Sequence, residues 1–196
     1  MKSMEPSQLS SSAKQAFRLI EFDSNERLLY EFRKHWFGLF LIYATGAFIS
    51  LILISIAVVA ALMDARSDFG TGMSLSQMQL PVILLCFLAA IMVAVGTAIG
   101  AFLYKTNVVL VTSDKLAQLL NVSLFNRKIS QLSIGDVQDV SVTQKGIFAH
   151  LFKYGTIVIE TAGEQQNYEF TFTPYPYEAA KAIVNAHEEN LKLYGN

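Results

Sequence analysis

Two long stretches of this chain, residues 36–63 and 69–104, contain no charged side chain. The first is rich in Ile, Leu, Ala, Val and Phe, and the second is predominantly apolar over 80–104. At about 1.5 Å of rise per residue, a helix over either apolar segment is longer than the ~30 Å hydrocarbon core of a bilayer. Two buried helices of a soluble bundle would carry polar stripes, which the first stretch lacks. We therefore expect two transmembrane helices, over 36–63 and 80–104.

Composition supports a membrane location, because 53% of the 196 residues are hydrophobic and 16% are charged. The charges are concentrated outside the apolar stretches. Residues 1–35 hold six Lys and Arg, residues 64–79 hold one, and residues 105–196 hold eight. This distribution predicts a polar, partly disordered N-terminal segment over 1–35, a transmembrane hairpin over 36–104, and a cytoplasmic domain over 105–196.

The same basic residues predict the orientation in the membrane. Lys and Arg precede the first span and follow the second, whereas the loop between the spans carries Arg66 as its single basic residue. The positive-inside rule then places both termini in the cytoplasm of a two-pass protein of the inner (plasma) membrane. Four residues are expected at the membrane interface before the first span: Arg33, Lys34, His35 and Trp36.

Small residues in the second span predict close helix packing. Gly96 and Gly100 have the four-residue spacing that lets two backbones approach in lipid. Two interpretations are open: the glycines seat the two spans against each other, or they contact another membrane protein or a second copy of this chain. Neither span contains Asp, Glu, Lys, Arg or His, which is against a self-contained transporter.

The chain after Tyr104 has the short runs and turn signals of β structure. Its predicted strands are 107–112, 116–122, 127–132, 137–143, 156–161 and 168–173. Apolar periodicity after two prolines predicts a C-terminal helix over 177–193. Its predicted apolar face consists of Ala180, Ile183, Val184, His187 and Leu191. Before the first span, residues 25–35 are predicted to begin a helix that continues into the membrane.

Four motifs occur in the order found in a known family. Arg-Lys-His-Trp at 33–36 precedes the first span, and a strand ending in Thr before a turn covers 109–115. Ile-Gly-Asp-Val follows at 134–137, and Tyr-Gly-Thr begins a later strand at 154–158. In these motifs and their spacing the chain resembles the bacterial pleckstrin-homology (PH) domain membrane proteins of the YdbS-like kind, over residues 25–190. It departs from them at Ser113-Asp114-Lys115, where the family favours a basic pair.

The resemblance implies an α+β membrane protein: a two-helix transmembrane hairpin plus a PH-like seven-stranded barrel or sandwich capped by a C-terminal helix. It also implies a domain of no established catalytic activity. The residues agree, because three scattered histidines and the single Cys86 form no metal-ligand or nucleophile pattern. We therefore expect no enzyme activity and no cofactor or metal. Nucleic-acid binding is not expected either, since residues 105–196 carry eight basic and nine acidic side chains.

One loop of the predicted PH-like domain, residues 145–155, carries five large apolar side chains and two lysines. It is interpreted either as a helical turn that closes the barrel mouth, or as a surface that meets a partner or the membrane interface. The candidate interaction residues are Lys145, Ile147, Phe148, Leu151, Phe152, Lys153 and Tyr154. The adjacent basic residues Arg127 and Lys128 are either lipid-headgroup contacts or a solvated hairpin end.

Two functions are consistent with these features. The first is a membrane-tethered, non-catalytic scaffold whose PH-like domain binds a protein partner, either another membrane protein or a second copy. The alternative is a protein that senses or handles anionic lipid, or a small accessory subunit of a larger membrane complex. The lipid bilayer is a partner in each case. The small number of clustered basic residues favours the scaffold.

Overall fold

The computed structural model describes residues 5, 7, 9–20, 22, 26–62, 75–161 and 167–194. The helices in this part of the chain are α1 (Ser11–Leu19), α2 (Trp36–Leu62), α3 (Leu75–Thr106), α4 (Ile147–Leu151) and α5 (Pro176–Tyr194). The strands are β1 (Leu28–Arg33), β2 (Val108–Thr112), β3 (Lys115–Asn121), β4 (Arg127–Ser133), β5 (Val137–Thr143), β6 (Tyr154–Thr161) and β7 (Tyr168–Pro174). The chain divides into two compact units, Leu39–Phe102 and the remainder.

The unit Leu39–Phe102 consists of the two long apolar helices that the sequence predicts. The segments Trp36–Leu62 and Met78–Thr106 are each long and apolar enough to cross a membrane. Their large apolar side chains are mostly exposed, whereas the core helix of a soluble protein buries such side chains. Length, composition and exposure therefore agree with the prediction.

The other unit contains two antiparallel sheets, with the strand orders β1-β2-β3-β4 and β5-β6-β7. All six strands predicted after Tyr104 are present, and β6 begins two residues earlier than predicted. The two sheets and the C-terminal helix α5 enclose the larger core cluster. The predicted α+β fold is confirmed, as a sandwich of two separate sheets rather than a closed barrel.

The helix predicted over residues 25–35 is wrong, because Leu28–Arg33 form strand β1. The strand pairs antiparallel with β2, and Arg33 lies opposite Val108. Its large apolar and aromatic residues suit a strand that is buried on both sides: Leu28 contacts one core cluster, and Leu29 and Phe32 contact the other. The two apolar helices are therefore inserted, in sequence, between two paired strands.

Helix α1 explains why β2 is buried along its whole length. The Ser10 side chain caps the helix by accepting a hydrogen bond from Ala13 N (3.2 Å). Ala13 and Ala16 then contact the outer face of the four-stranded sheet in the second core cluster. Strands β1–β3 of the four-stranded sheet are thus covered on both faces, by α1 outside and by the main core inside, whereas β4 is largely exposed.

Helix α5 buries part of the predicted face. Ala180 and Ile183 are buried as predicted, whereas Val184 and Leu191 are exposed. The buried face extends instead to three alanines, Ala179, Ala182 and Ala186. Buried alanines allow the helix backbone to approach the sheets closely. Side-chain hydrogen bonds reinforce this face, because Asn190 Nδ2 donates to Ser113 O (3.0 Å) and His187 Nδ1 to Ile134 O (2.7 Å).

Candidate functional site

Aromatic side chains gather at the point where the chain passes from β1 into α2. Phe37 lies at their centre, and its ring stacks on Phe152 (4.8 Å between centroids), Tyr154 (5.2 Å) and Phe148 (5.8 Å). Trp36 packs edge-on against Phe152 at 5.2 Å. We call this set the aromatic cluster: Trp36, Phe37, Tyr104, Phe148, Phe152, Tyr154 and Phe172.

His35 forms hydrogen bonds with three members of the aromatic cluster. Its backbone N–H donates to Phe172 O (2.6 Å), and its carbonyl accepts from the Tyr104 hydroxyl (2.7 Å). Its Nδ1 accepts from the Phe37 backbone N–H (3.1 Å), so that nitrogen carries no proton. Burial lowers the pKa of His35, which agrees with a neutral ring. These hydrogen bonds fix the position of His35 between α2 and the neighbouring aromatic side chains.

A glycine permits the contact with Tyr104. A Cβ added at Gly38 would lie 2.0 Å from the Tyr104 hydroxyl oxygen and 2.5 Å from its Cζ. Because that hydroxyl is held by the His35 carbonyl, the ring has little freedom to move away. Lys34 extends over the other side of the Tyr104 ring, with Nζ 5.4 Å from the centroid, and burial lowers the pKa of this lysine.

Helix α4 lies within the loop 145–155, and its side chains are partly buried and partly exposed. Ala149 is buried, whereas Ile147, Phe148 and Leu151 are 84%, 60% and 65% exposed. Gly146 begins the helix at φ +89°, a conformation that suits glycine. One side of the helix thus contacts the domain, as the first interpretation of this loop requires, while a larger apolar side faces outward next to Trp36.

Polar contacts hold the ends of this loop. The Gln144 side chain donates to Tyr154 O (3.0 Å), and Tyr175 N donates to Lys153 O (2.9 Å). Both lysines of the loop, Lys145 and Lys153, are exposed, and Lys153 Nζ lies 5.9 Å from the Tyr175 ring centroid. The candidate loop residues are therefore brought together on one side of the domain.

Gly155 explains the Tyr-Gly-Thr motif in physical terms. A Cβ at this position would lie 2.8 Å from Thr143 O and 2.9 Å from side-chain carbons of Gln144 and Pro176. Since the nearest atom belongs to the backbone of the neighbouring strand β5, a larger residue would push the two strands apart.

Four of the predicted residues that lie outside the loop 145–155 are exposed. Arg127 and Lys128 are exposed at the start of β4, and Arg127 Nε donates to Asn121 Oδ1 (3.1 Å). Arg33 is exposed, with Nε 3.5 Å from Glu31 Oε1. Trp36 is 55% exposed.

The glycines predicted to pack the helices differ in their surroundings. A Cβ added at Gly100 would lie 3.7 Å from Ile42, at ordinary contact distance, and one at Gly96 would meet no atom within 4 Å. The two helices approach more closely at Gly46, where an added Cβ would lie 2.2 Å from Thr97 Oγ1. Gly96 therefore faces open space in this helix pair.

Sequence reasoning missed a concave surface on the outer side of β5–β7. Its centre is the cross-strand row Ser141, Val158 and Glu169. A shallow cavity of about 390 Å³ lies against it. We call this surface the open sheet face: Ser141, Thr143, Thr156, Val158, Glu169 and Thr171. Alternating small polar residues were its only sequence signal, and solvated strands show the same pattern.

No cluster of three or more His, Cys, Asp or Glu residues that could hold a metal occurs in the part of the chain that the structure describes. The sites found there are surfaces rather than enclosed polar pockets. Such surfaces can bind proteins or lipids.

A comparison with models of protein families agrees with this architecture. A family model described as a bacterial PH domain matches residues 37–186. A solved structure that is similar is a DUF1696 family protein with a pleckstrin-homology domain from Shewanella loihica PV-4. It is 14% identical with a TM-score of 0.34, and the match covers 41% of this chain and 70% of that chain. No curated protein matches.

Proposed function

We propose, since this chain belongs to the bacterial PH domain family, that it is an integral membrane protein of the inner membrane whose PH-like domain acts as a scaffold. In this proposal the domain has no catalytic role. It is held at the cytoplasmic membrane surface and binds a protein partner, which is another membrane protein or a second copy of the chain. The basic residues outside both apolar helices support the cytoplasmic location.

The observation that carries the proposal is the position of the apolar helices between two paired strands. Arg33 ends β1 and Val108 begins β2, and the two residues lie opposite each other in the sheet. At this end of the domain, Arg33 leads into α2 and Val108 follows α3. Each of these helices is long and apolar enough to cross a bilayer. A domain with two such adjacent connections stays at the membrane without needing affinity for a lipid. Its remaining surface is then available to a partner.

The open sheet face is the surface we assign to the protein partner. The four-stranded sheet is covered by α1, whereas the outer side of β5–β7 carries exposed hydroxyl groups around Val158. Glu169 and Lys145 lie at the same cavity and supply one charge of each sign. Hydroxyl groups and charges of both signs beside apolar side chains can bind a protein segment through hydrogen bonds and apolar contacts together.

Photocrosslinking in living cells tests this assignment. A photoreactive amino acid in place of Val158 is expected to give a discrete protein adduct, because the residue lies at the centre of the open sheet face. The matched control is the same amino acid in place of Lys181, which is exposed on α5. Equal adducts from both positions, or none from Val158 at native expression, would contradict the proposed scaffold.

A second candidate function is supported by α4. Ile147, Phe148 and Leu151 are exposed beside Trp36, and Lys145 and Lys153 flank them. Apolar and basic side chains in this combination are typical of elements that lie in a membrane interface. In this alternative the domain senses or handles anionic lipid. The same photoreactive residue in place of Phe148 distinguishes the two, since lipid adducts favour the second function and protein adducts the first.

A further inference from the structure

The turn between β3 and β4 presents apolar side chains to the outside. Val122, Leu124 and Phe125 are 54%, 50% and 98% exposed. The turn is nevertheless ordered, because Val122 N donates to Asn126 O (2.9 Å) and Ser123 N to the same oxygen (3.1 Å). We call residues 122–126 the hairpin tip. A single exposed apolar residue is common, but three in a tight five-residue turn need an explanation.

The hairpin tip lies at the end of the sheet where the chain leaves α3. The last residue of α3 is Thr106, and Asn107 Oδ1 accepts a hydrogen bond from Asn121 N (2.7 Å), immediately before the tip. The strand register agrees, because Val108 of β2 lies opposite Leu119 of β3. If α3 crosses the membrane, the tip is therefore next to the point where the chain emerges from the bilayer.

Basic residues stand at the base of the hairpin tip. Arg127 and Lys128 follow it directly and lie opposite Asn121 and Leu120. Residues 121–130 contain no acidic side chain. In a membrane surface the acyl chains lie deeper than the lipid phosphates. The hairpin tip has the same order, with apolar side chains at its end and cations one or two residues after it.

We propose that the hairpin tip inserts Val122, Leu124 and Phe125 into the membrane interface, with Arg127 and Lys128 on the lipid phosphates. The inference rests on the membrane anchorage in the proposed function and adds a third attachment to the two helices. A third point at the β4 edge of the same end of the sheet restrains rotation of the domain about the paired ends of β1 and β2. It thereby fixes the direction in which the open sheet face points.

The test uses the full chain in nanodiscs of phosphatidylcholine and phosphatidylglycerol, with Cys86→Ser and one new cysteine carrying an environment-sensitive fluorophore. Asn126→Cys places the probe on the tip and keeps all three apolar side chains. Ser133→Cys, exposed at the other end of β4, is the matched control. Ile54→Cys reports on α2.

The probe at 126 is expected to emit at shorter wavelength than the probe at 133. Lipids with a quencher on the acyl chain should quench it, and aqueous iodide should quench it less than the control. Adding Phe125→Asp should return both signals to those of position 133. A probe at 126 that behaves like the control while the probe at 54 is lipid-quenched would overturn the inference and leave the anchorage intact.

Two other outcomes are also decisive. If the probe at 54 is quenched by iodide, the anchorage fails and the inference fails with it. If the probe at 126 is shielded from iodide but not quenched by the labelled lipids, the tip is covered by a second copy, which also overturns the inference.

Discussion

The two sheets of this domain have similar strands but different surroundings. Strands β1–β3 of the four-stranded sheet are covered on both faces, because α1 lies against their outer side. The three-stranded sheet buries one face in the core, and its outer face carries Ser141, Thr156 and Glu169. The covered strands therefore contribute to the core and continue into the apolar helices, while the open sheet face is the surface that we propose for binding. Substitutions on the two sheets should separate these roles.

The largest difference is expected between Leu110→Ala and Val158→Ala. Leu110 is fully buried under α1, so its truncation should lower the free energy of unfolding by about 2–5 kcal/mol. Val158 lies on the open sheet face, and its truncation should change that energy by about 0.5 kcal/mol or less while weakening the binding of the protein partner. Chemical unfolding in detergent micelles measures both. Equal destabilisation would show that the open face is also covered.

Gly155→Ala tests the one crowded position at the rim of the open sheet. The added Cβ meets Thr143 O at 2.8 Å, so we expect a loss of about 1–3 kcal/mol in the same measurement. Gly96→Ala is the control, because its Cβ meets nothing within 4 Å. An unchanged Gly155→Ala protein would mean that β5 and β6 can separate freely.

Ser10→Ala tests how helix α1 is held against the four-stranded sheet. The Ser10 hydroxyl caps α1 and also donates to Glu31 Oε1 (2.6 Å) on β1, and losing it should cost about 1 kcal/mol. Amide hydrogen exchange in α1 should accelerate. Ser11→Ala, an exposed neighbour within the helix, should leave both values nearly unchanged. Identical behaviour of the two variants would refute the role of the cap.

The smallest expected effect is the pH dependence contributed by His35. Burial lowers the pKa of this histidine, so the unfolded chain binds the proton more readily than the folded one. Stability from this group is complete above the ordinary histidine pKa of about 6.5 and declines as the pH falls below it. His35→Asn keeps an acceptor for Phe37 N and should reduce that decline. An identical pH profile for both proteins would contradict a buried neutral His35.

Local patterns predicted most of this fold, and long-range contacts account for what was missed. Consecutive strands after Tyr104 pair with each other except at β4 and β5, so alternation and turns were sufficient to identify them. Strand β1 pairs with residues that lie beyond the two apolar helices, and nothing local indicates that pairing. Proximity to the apolar stretch made Leu28–Arg33 resemble the beginning of a helix.

The candidate surfaces were predicted only in part, for a related reason. The sequence identified the apolar loop with Phe148, but its stacking on Phe37 depends on a contact between distant segments. The hairpin tip was interpreted as a turn, because turn signals do not report that Phe125 points outward. The position of Gly46 against Thr97 depends on how two helices face each other, which the spacing of Gly96 and Gly100 does not determine.

Labelling with a membrane-impermeant thiol reagent tests the central claim most directly. In a Cys86→Ser background, Ser141→Cys puts one exposed thiol on the open sheet face. A domain held at the cytoplasmic membrane surface predicts labelling in inverted membrane vesicles and none in intact cells, with the protein remaining in the membrane after carbonate extraction. Labelling of Ser141→Cys in intact cells, or release of the chain by carbonate, would contradict the account.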